Sequence, residues 1–204
     1  VEAGLMHHKL TRTSEQLGIR GVISSLVPAT GEKVELMKIQ IENISEEYKS
    51  LQVVTAIPLY ARSADNLRDH RHVTSLLHRI KTKYSGVIVT PTMTFDERGH
   101  KRNHRAYGVF GGNESQRPVG YYPVLEDFTG EGGSLENPKA LYELPLKPQG
   151  VDFETGGYEA LGGLCFQECR IGPKEKITYL VAMGYGETEE ELIHSLSLIH
   201  ISEP

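Results

Sequence analysis

The chain has 204 residues, of which 38% are hydrophobic and 24% are charged, a balance typical of a soluble globular protein. Its formal net charge is −5 and its basic residues are scattered, so a nucleic-acid-binding protein is not indicated. No apolar run approaches the roughly 18–20 residues that a membrane-spanning helix needs, and no membrane segment is predicted.

Strand patterns dominate the first third of the chain. Residues 18–27 form a β-branched run that ends at Pro28. Residues 33–43 alternate with period two, which puts Met37, Ile39 and Ile41 on one mainly apolar face and predicts a half-buried strand. Another strand begins at residue 51. It contains Pro58, which lacks a backbone N–H, so this strand should lie at a sheet edge or carry a bulge.

A polar segment, residues 65–72, separates two runs with strand-like composition. The second run, residues 73–84, continues through a turn into residues 87–90 as a predicted hairpin. The polar segment holds two Arg, two Asp and two His residues, which cannot all be buried without partners. It is therefore either a solvated crossover between strands or the hydrogen-bonded rim of a sugar-sized cleft. We expect Asp65, Arg68, Asp69, His70 and Arg71 to form a charge-paired network, since guanidinium groups can fork onto carboxylates.

Metal and phosphate sites are not predicted. His70 and His72 could share one face of a strand, but Arg68 and Arg71 would repel a cation there. The glycine-rich stretch at residues 130–133 lacks the Lys-Ser/Thr pair of a phosphate-binding loop. Glu126 and Asp127 are adjacent carboxylates, and neighbours on a strand would point to opposite faces.

Residues 96–160 are rich in Gly and Pro, which predicts long ordered loops rather than a separate domain. Five aromatic residues crowd this region, and their rings could either fill the rim of the sandwich or pack on the apolar face of a glucose unit. They are Tyr107, Phe110, Tyr121, Tyr122 and Phe128.

The C-terminal part reads as a hairpin followed by a helix. Residues 160–171 are predicted to pair with residues 176–183. A capping box at Thr188 and Glu191 starts a helix whose Leu192, Leu196 and Ile199 share one face. We expect this face to be exposed and to promote self-association.

The only two cysteines, Cys165 and Cys169, fit no zinc-binding spacing. On one strand they would lie about 13 Å apart, too far for a disulfide. We therefore expect core or semi-buried thiols and a reducing, cytoplasmic environment.

Three motifs in this order resemble the β-supersandwich region of glycoside hydrolase family 94. They are residues 17–28 (LGIRGVISSLVP), residues 62–72 (RSADNLRDHRH) and residues 130–140 (GEGGSLENPKA). The family includes cellobiose and chitobiose phosphorylases and the phosphorylase-like part of cyclic β-1,2-glucan synthase. Its members that act on β-1,2-glucan oligosaccharides are the most similar.

The resemblance implies an all-β fold, a large antiparallel β-supersandwich with long Gly/Pro-rich loops and a C-terminal exit helix. It assigns residues 1–186 to the supersandwich and residues 187–194 to the start of a linker helix. Residues 195–204 resemble a translated sequencing adaptor and are expected to be a non-native tail. The catalytic (α/α)6 barrel of such enzymes would lie outside this chain.

The implied function is that of the non-catalytic part of an inverting phosphorylase. Inorganic phosphate would be the co-substrate, and no other cofactor would be needed. The partners would be a β-glucan oligosaccharide, the catalytic barrel and, in a homodimer, a second copy of the chain. No catalytic residue is expected here. The candidate substrate-binding residues are Arg68, His70, Arg71, Tyr107, Tyr121 and Tyr122. A freestanding carbohydrate-binding or structural sandwich, or the corresponding region of a cyclic β-1,2-glucan synthase, is the alternative.

Overall fold

The computed structural model describes residues 1–29, 31–61, 71–83, 85–96, 99–113 and 116–197, and antiparallel strands make up most of it. In chain order the strands are β1 (Glu2–Gly4), β2 (His7–Ser14), β3 (Ile19–Leu26), β4 (Val34–Asn43), β5 (Lys49–Leu51), β6 (Val54–Leu59), β7 (His78–Lys83), β8 (Gly86–Pro91), β9 (Met93–Asp96), β10 (Gly99–Arg102), β11 (Ala106–Gly112), β12 (Gly120–Val124), β13 (Glu154–Gly156), β14 (Ala160–Cys165), β15 (Cys169–Ile171) and β16 (Lys176–Gly186). The helices are α1 (Arg71–Ser75), α2 (Leu125–Thr129) and α3 (Glu189–Ser197), with a 3-10 turn at Lys139–Leu141.

Two layers of sheet build the sandwich. Nine strands form the large sheet in the order β1-β2-β3-β4-β16-β11-β8-β7-β13, and β12-β14-β6 form a smaller one. Two ribbons, β9–β10 and β5–β15, complete the described strands. The predicted all-β supersandwich is confirmed.

The core lies between the two sheets, where β14 packs across β8 and β11. Fully buried side chains from both layers fill it, among them Val87, Tyr121, Leu164 and Tyr179. A Cβ atom added at Gly162 would overlap the side chain of Val109, so glycine is needed where the layers approach most closely.

The alternating strand at residues 33–43 is confirmed as β4. Met37, Ile39 and Ile41 pack against the core between the sheets. On the opposite face, Val34 and Leu36 pack against a second apolar cluster that includes α3. Both faces of β4 are therefore covered, which the half-buried pattern did not predict.

The strand that contains Pro58 is also confirmed. Pro58 lies on β6, an edge strand of the smaller sheet, opposite Leu161 of β14. At the edge its missing N–H interrupts no ladder of hydrogen bonds. The hairpin of β7 and β8 is confirmed as well, although the run before it begins as helix α1 and not as strand.

The predicted pairing of residues 160–171 with residues 176–183 is wrong. The first segment is not one strand. Up to Cys165 it is β14, which pairs with β12 and β6, and from Cys169 it is β15, which pairs with β5. Strand β16 lies in the other sheet, between β4 and β11. Turn chemistry at Gly172 indicated a local hairpin, but β16 pairs with the distant strand β4 from Lys176 to Gly184.

Helix α3 begins as predicted, but its apolar face is not exposed. The Thr188 hydroxyl accepts a hydrogen bond from the Glu191 amide at 3.2 Å. The Glu191 carboxylate accepts a hydrogen bond from the amide of Glu187, whereas a capping box would use the amide of Thr188. Leu192 is 0% exposed and Leu196 is 1% exposed, because both pack on the outer face of the large sheet. The expectation of an exposed, self-associating face is wrong.

Ion pairs fix the start of α3 to the sheet. Glu187 accepts hydrogen bonds from Arg105 at 3.0 Å and from Lys33 at 3.2 Å. These cations lower the pKa of the Glu187 carboxyl group. Lys33 also reaches Glu191 at 3.4 Å, so one lysine bridges the residues before and within the helix.

Candidate functional site

A cleft of about 720 Å³ opens at one end of the smaller sheet. We call it the tyrosine cleft and define it by Tyr60, Ser75, Leu76, Glu126, Leu135 and Tyr158. Its walls come from the residue after β6, the end of α1, helix α2 with the loop that follows it, and the turn before β14. The volume matches that of ordinary small-molecule sites.

Helix α2 and a glycine loop form one wall of the cleft. The amide of Leu125 donates to the carbonyl of Glu159 at 2.9 Å, which joins α2 to the turn before β14. The hydroxyl of Thr129 donates to the carbonyl of Leu125 at 3.0 Å. Gly130 has a φ of 82°, which ends the helix and turns the chain into the loop.

Gly133 returns this loop against the helix. Its amide donates to the carbonyl of Gly130 at 3.0 Å. A Cβ atom at Gly133 would overlap the carbonyl oxygen of Thr129, so only glycine fits. The glycine-rich stretch thus follows the C-terminal end of a helix, whereas a phosphate-binding loop precedes a helix N-terminus.

Two tyrosine rings supply the exposed aromatic surface of the cleft. Tyr60 and Tyr158 are each 48% exposed. Carboxylates of Glu126 and Glu159 line the same cleft, together with the hydroxyls of Ser75 and other small polar residues. Ring faces beside hydrogen-bonding groups suit a neutral polyhydroxylated ligand, because such a ligand has both apolar faces and hydroxyl edges.

His78 lies below the cleft and is only 2% exposed. Its Nδ1 is 3.2 Å from the carbonyl oxygen of Tyr158, and since a carbonyl only accepts, Nδ1–H is the donor. Burial lowers the pKa of His78, while the hydrogen bond to the carbonyl of Tyr158 and the charge of Glu159 act in the opposite direction. The imidazole is therefore neutral near pH 7.

The polar segment identified in the sequence falls largely outside the described residues. Asp65, Arg68, Asp69 and His70 belong to residues 62–70, and nothing is stated about their placement. Arg71 begins α1, but its side chain is also outside the described part. Their roles as charge network or substrate contacts stay predictions.

The three tyrosines proposed from the sequence lie away from the cleft surface. Tyr121 is 0% exposed, and burial raises its pKa to about 12. Tyr122 is buried and packs on Phe128 with ring centroids 5.1 Å apart. Tyr107 is half-buried and stacks on Tyr185 at 6.0 Å. Tyr121 and Tyr122 are thus buried in this structure, and the substrate-binding role of the three tyrosines stays a prediction.

Sequence reasoning did not select Tyr158 or Glu159, and it treated Tyr60 only as the end of a strand. Tyr60 directly precedes the polar segment, and Tyr158 follows Gly157, whose φ is 86°. An aromatic residue at a strand end beside a glycine turn is the signal that could have identified them.

The adjacent carboxylates Glu126 and Asp127 lie on helix α2 and not on a strand, and both are exposed. The prediction for the cysteines is confirmed: Cys165 is buried, Cys169 is partly buried, and both are free thiols. Burial raises the pKa of the Cys165 thiol, which keeps it protonated and unreactive.

The described residues hold neither a metal-binding cluster nor a helix able to span a membrane. They contain no group of three or more His, Cys, Asp or Glu side chains arranged to hold a metal ion. Among the helices of this part of the chain, none is long and apolar enough to cross a membrane.

The fold and the cleft define a sandwich domain with a candidate ligand site at one end of its smaller sheet. A sequence profile for the supersandwich domain of glycosyl hydrolase 94 matches residues 5–199. This match covers nearly the whole chain, and the protein belongs to that family. No curated protein matches the chain in a sequence search.

Two solved structures have a distant likeness to the chain. The polysaccharide lyase BACCELL_00875 aligns with a TM-score of 0.48 and 12% identity, over 92% of this chain and 23% of its own. The Slr1438 protein from Synechocystis sp. PCC 6803 aligns with a TM-score of 0.43 and 7% identity, over 89% of this chain and 61% of its own. The chain thus spans less than two thirds of either protein, and neither likeness supports an assignment of function.

Proposed function

We propose that this chain is the non-catalytic β-sandwich part of a glycoside phosphorylase. The enzyme would cleave β-glucosides, β-1,2-glucan oligosaccharides in particular, with inorganic phosphate to give α-glucose 1-phosphate and a shorter glucan. The observation that supports this proposal is the family match over residues 5–199. Catalysis would take place in an (α/α)6 barrel of the same protein.

The proposed reaction requires one protein carboxylic acid. In inverting cleavage an acid protonates the leaving oxygen and a base activates water on the opposite face of the sugar. Phosphate is already an anionic nucleophile, so it replaces both the water and the base. The sandwich therefore has no chemical step to perform, and its role would be to bind and orient the glucan.

The tyrosine cleft is the place where we expect that binding. Tyr60 and Tyr158 offer half-exposed rings, and Glu126 and Glu159 offer acceptors for sugar hydroxyls. The glycine loop shapes the wall between them without side chains of its own. A segment of one or two glucose units fits a cleft of about 720 Å³.

A freestanding carbohydrate-binding sandwich is the second candidate, and one observation favours it. Leu192 and Leu196 of α3 are already buried against the sheet of this chain. The helix therefore needs no second domain to cover its apolar face. In this case the cleft would have the same ligand, and no barrel would be required.

The compartment and the oligomeric state of the protein are proposed as well. A reducing, cytoplasmic compartment is supported by the two free thiols, Cys165 and Cys169. The corresponding region of a cyclic β-1,2-glucan synthase is the alternative origin of this sandwich. The protein would form a homodimer.

The first experiment titrates the purified chain with β-1,2-gluco-oligosaccharides and, separately, with β-1,4-gluco-oligosaccharides. Tyr60→Ala and Tyr158→Ala should each weaken binding about tenfold, which corresponds to about 1.4 kcal/mol. Tyr142→Ala is the matched control, because Tyr142 is 71% exposed and lies outside the cleft. Absence of binding to either glucan series would overturn the role assigned to the cleft.

The second experiment separates the two candidate functions. The reading frame that encodes this chain should also encode a helical barrel, and the full-length protein should release glucose 1-phosphate from β-1,2-glucan oligosaccharides and phosphate. Glucan binding by a protein whose complete gene encodes no barrel would favour the freestanding module.

A further inference from the structure

We infer that His78 is a positioning residue that holds the turn carrying Tyr158 in place beside Tyr60 in the tyrosine cleft. This inference rests on the proposed function of that cleft. Tyr60 follows β6 of the smaller sheet, whereas Tyr158 belongs to the turn that connects β13 of the large sheet with β14. The ladder of β6 and β14 ends at the pair Leu59 and Ala160. Tyr60 therefore lies one residue beyond it, and the position of Tyr158 depends on the turn before β14.

The side chain of His78 fixes the turn that carries Tyr158. Its Nδ1–H donates to the carbonyl of Tyr158 at 3.2 Å. The main chain of His78 contributes a second contact, since its carbonyl accepts the amide of Gly157 at 3.1 Å. The turn is thus held to the first residue of β7 by one side-chain and one main-chain hydrogen bond.

The same imidazole lies next to the other wall of the cleft. A small cavity of about 10 Å³ is lined by His78 and shares Tyr60, Ser75 and Glu159 with the cleft. Among the described residues the imidazole Nε2 has no hydrogen-bond partner, and His78 and Tyr60 are neighbours through this cavity. One buried ring therefore holds the backbone of Tyr158 and lies beside Tyr60, and each of the two tyrosines is 48% exposed.

This arrangement lets His78 act on ligand binding without touching the ligand. Because the imidazole is 2% exposed, a sugar in the cleft cannot reach it. Loss of its hydrogen bond would release the turn at Tyr158 and change the spacing of the two rings. Preorganised aromatic surfaces bind more tightly, because less conformational freedom is lost when the ligand arrives.

The test compares two substitutions of similar size in the purified chain. His78→Asn keeps an amide N–H near the position of Nδ1 and should bind β-1,2-gluco-oligosaccharides nearly as well as the original chain. His78→Leu removes the donor and should weaken binding about tenfold. His104→Leu serves as the control, because His104 is exposed and outside the cleft.

A readout that needs no ligand accompanies the titration. Hydrogen exchange over residues 154–160 should accelerate in His78→Leu, return towards the original rate in His78→Asn, and remain unchanged over residues 34–43 in both. Equal exchange rates over residues 154–160 in all three proteins would overturn the positioning role, whether or not the chain binds sugar.

The combination of readouts separates the two proposals. If the original chain binds glucan and His78→Leu binds equally well, the positioning role is wrong and the function of the cleft stands. If no glucan binds but hydrogen exchange follows the expected order, His78 holds the turn as inferred. The ligand assigned to the cleft is then wrong, and His78 does not position a sugar-binding site.

Discussion

Leu192 of helix α3 lies directly over Gly108 of strand β11. A Cβ atom added at Gly108 would come within 3.1 Å of Leu192 Cδ2, which is tighter than an ordinary van der Waals contact. The absence of a side chain at Gly108 lets the helix approach the sheet, and Leu192 becomes 0% exposed. The C-terminal helix is therefore part of the core of this domain.

We expect Leu192→Ala to lower the free energy of unfolding by about 2–5 kcal/mol, because it leaves a cavity in a closely packed cluster. Denaturation with urea measures this change. Leu144→Ala is the control, because Leu144 is 77% exposed and should change stability by less than about 0.5 kcal/mol. Equal losses for both substitutions would contradict the packing described for α3.

Truncation after Gly186 should destabilise the whole domain. The deletion removes Leu192 and Leu196 and exposes the apolar surface of Ile88 and Phe110 beneath them. An exposed, self-associating face, as expected from the sequence, would instead leave the fold intact and reduce self-association after this truncation. We now expect a lower melting temperature and more aggregation on a sizing column. If the truncated chain has the same melting temperature as the full chain, α3 is a linker helix and not part of the core.

Patterns within a single strand or helix were predictable from the sequence, and contacts between distant segments were not. The alternation in β4 and the cap at Thr188 depend on neighbouring residues. The partner of β16 lies more than a hundred residues away in β4, and no turn residue specifies that pairing. The tyrosine cleft was missed for the same reason, since Tyr60 and Tyr158 come together only when β6 pairs with β14, a strand far away in the sequence.

Gly133→Ala should destabilise the domain and impair glucan binding together. The new methyl group would overlap the carbonyl oxygen of Thr129, so the loop that forms one wall of the cleft must shift. Gly150→Ala is the matched control, because a Cβ there meets nothing within 4 Å. We expect a loss of about 1–3 kcal/mol for Gly133→Ala, measured by urea denaturation, and almost none for Gly150→Ala. Similar behaviour of both variants would contradict the tight return of the loop.

Acidification should destabilise the domain through His78. Burial holds the folded-state pKa of His78 below its ordinary value of 6.5, although Glu159 nearby acts in the opposite direction. The unfolded chain therefore takes up a proton first as the pH falls, and stability is lost from about pH 6.5 down to the folded-state pKa. The stabilisation is fully present above about pH 6.5.

The measurement is the melting temperature between about pH 7.5 and about pH 5. The original chain should lose more stability over this interval than His78→Asn, which has no titrating ring at this position. Parallel curves for the two proteins would show that His78 does not titrate differently in the folded state.

The purified chain should produce no glucose 1-phosphate from β-1,2-gluco-oligosaccharides and phosphate. A general acid is kept protonated near neutral pH by burial in apolar surroundings. Glu126, the exposed carboxylate of the cleft, lacks such surroundings. We expect product formation equal to that of a protein-free blank, with the Glu126→Gln variant as a second control. Turnover by the chain that disappears in Glu126→Gln would show that the cleft itself is catalytic, and the assignment of the chemistry to a separate barrel would be wrong.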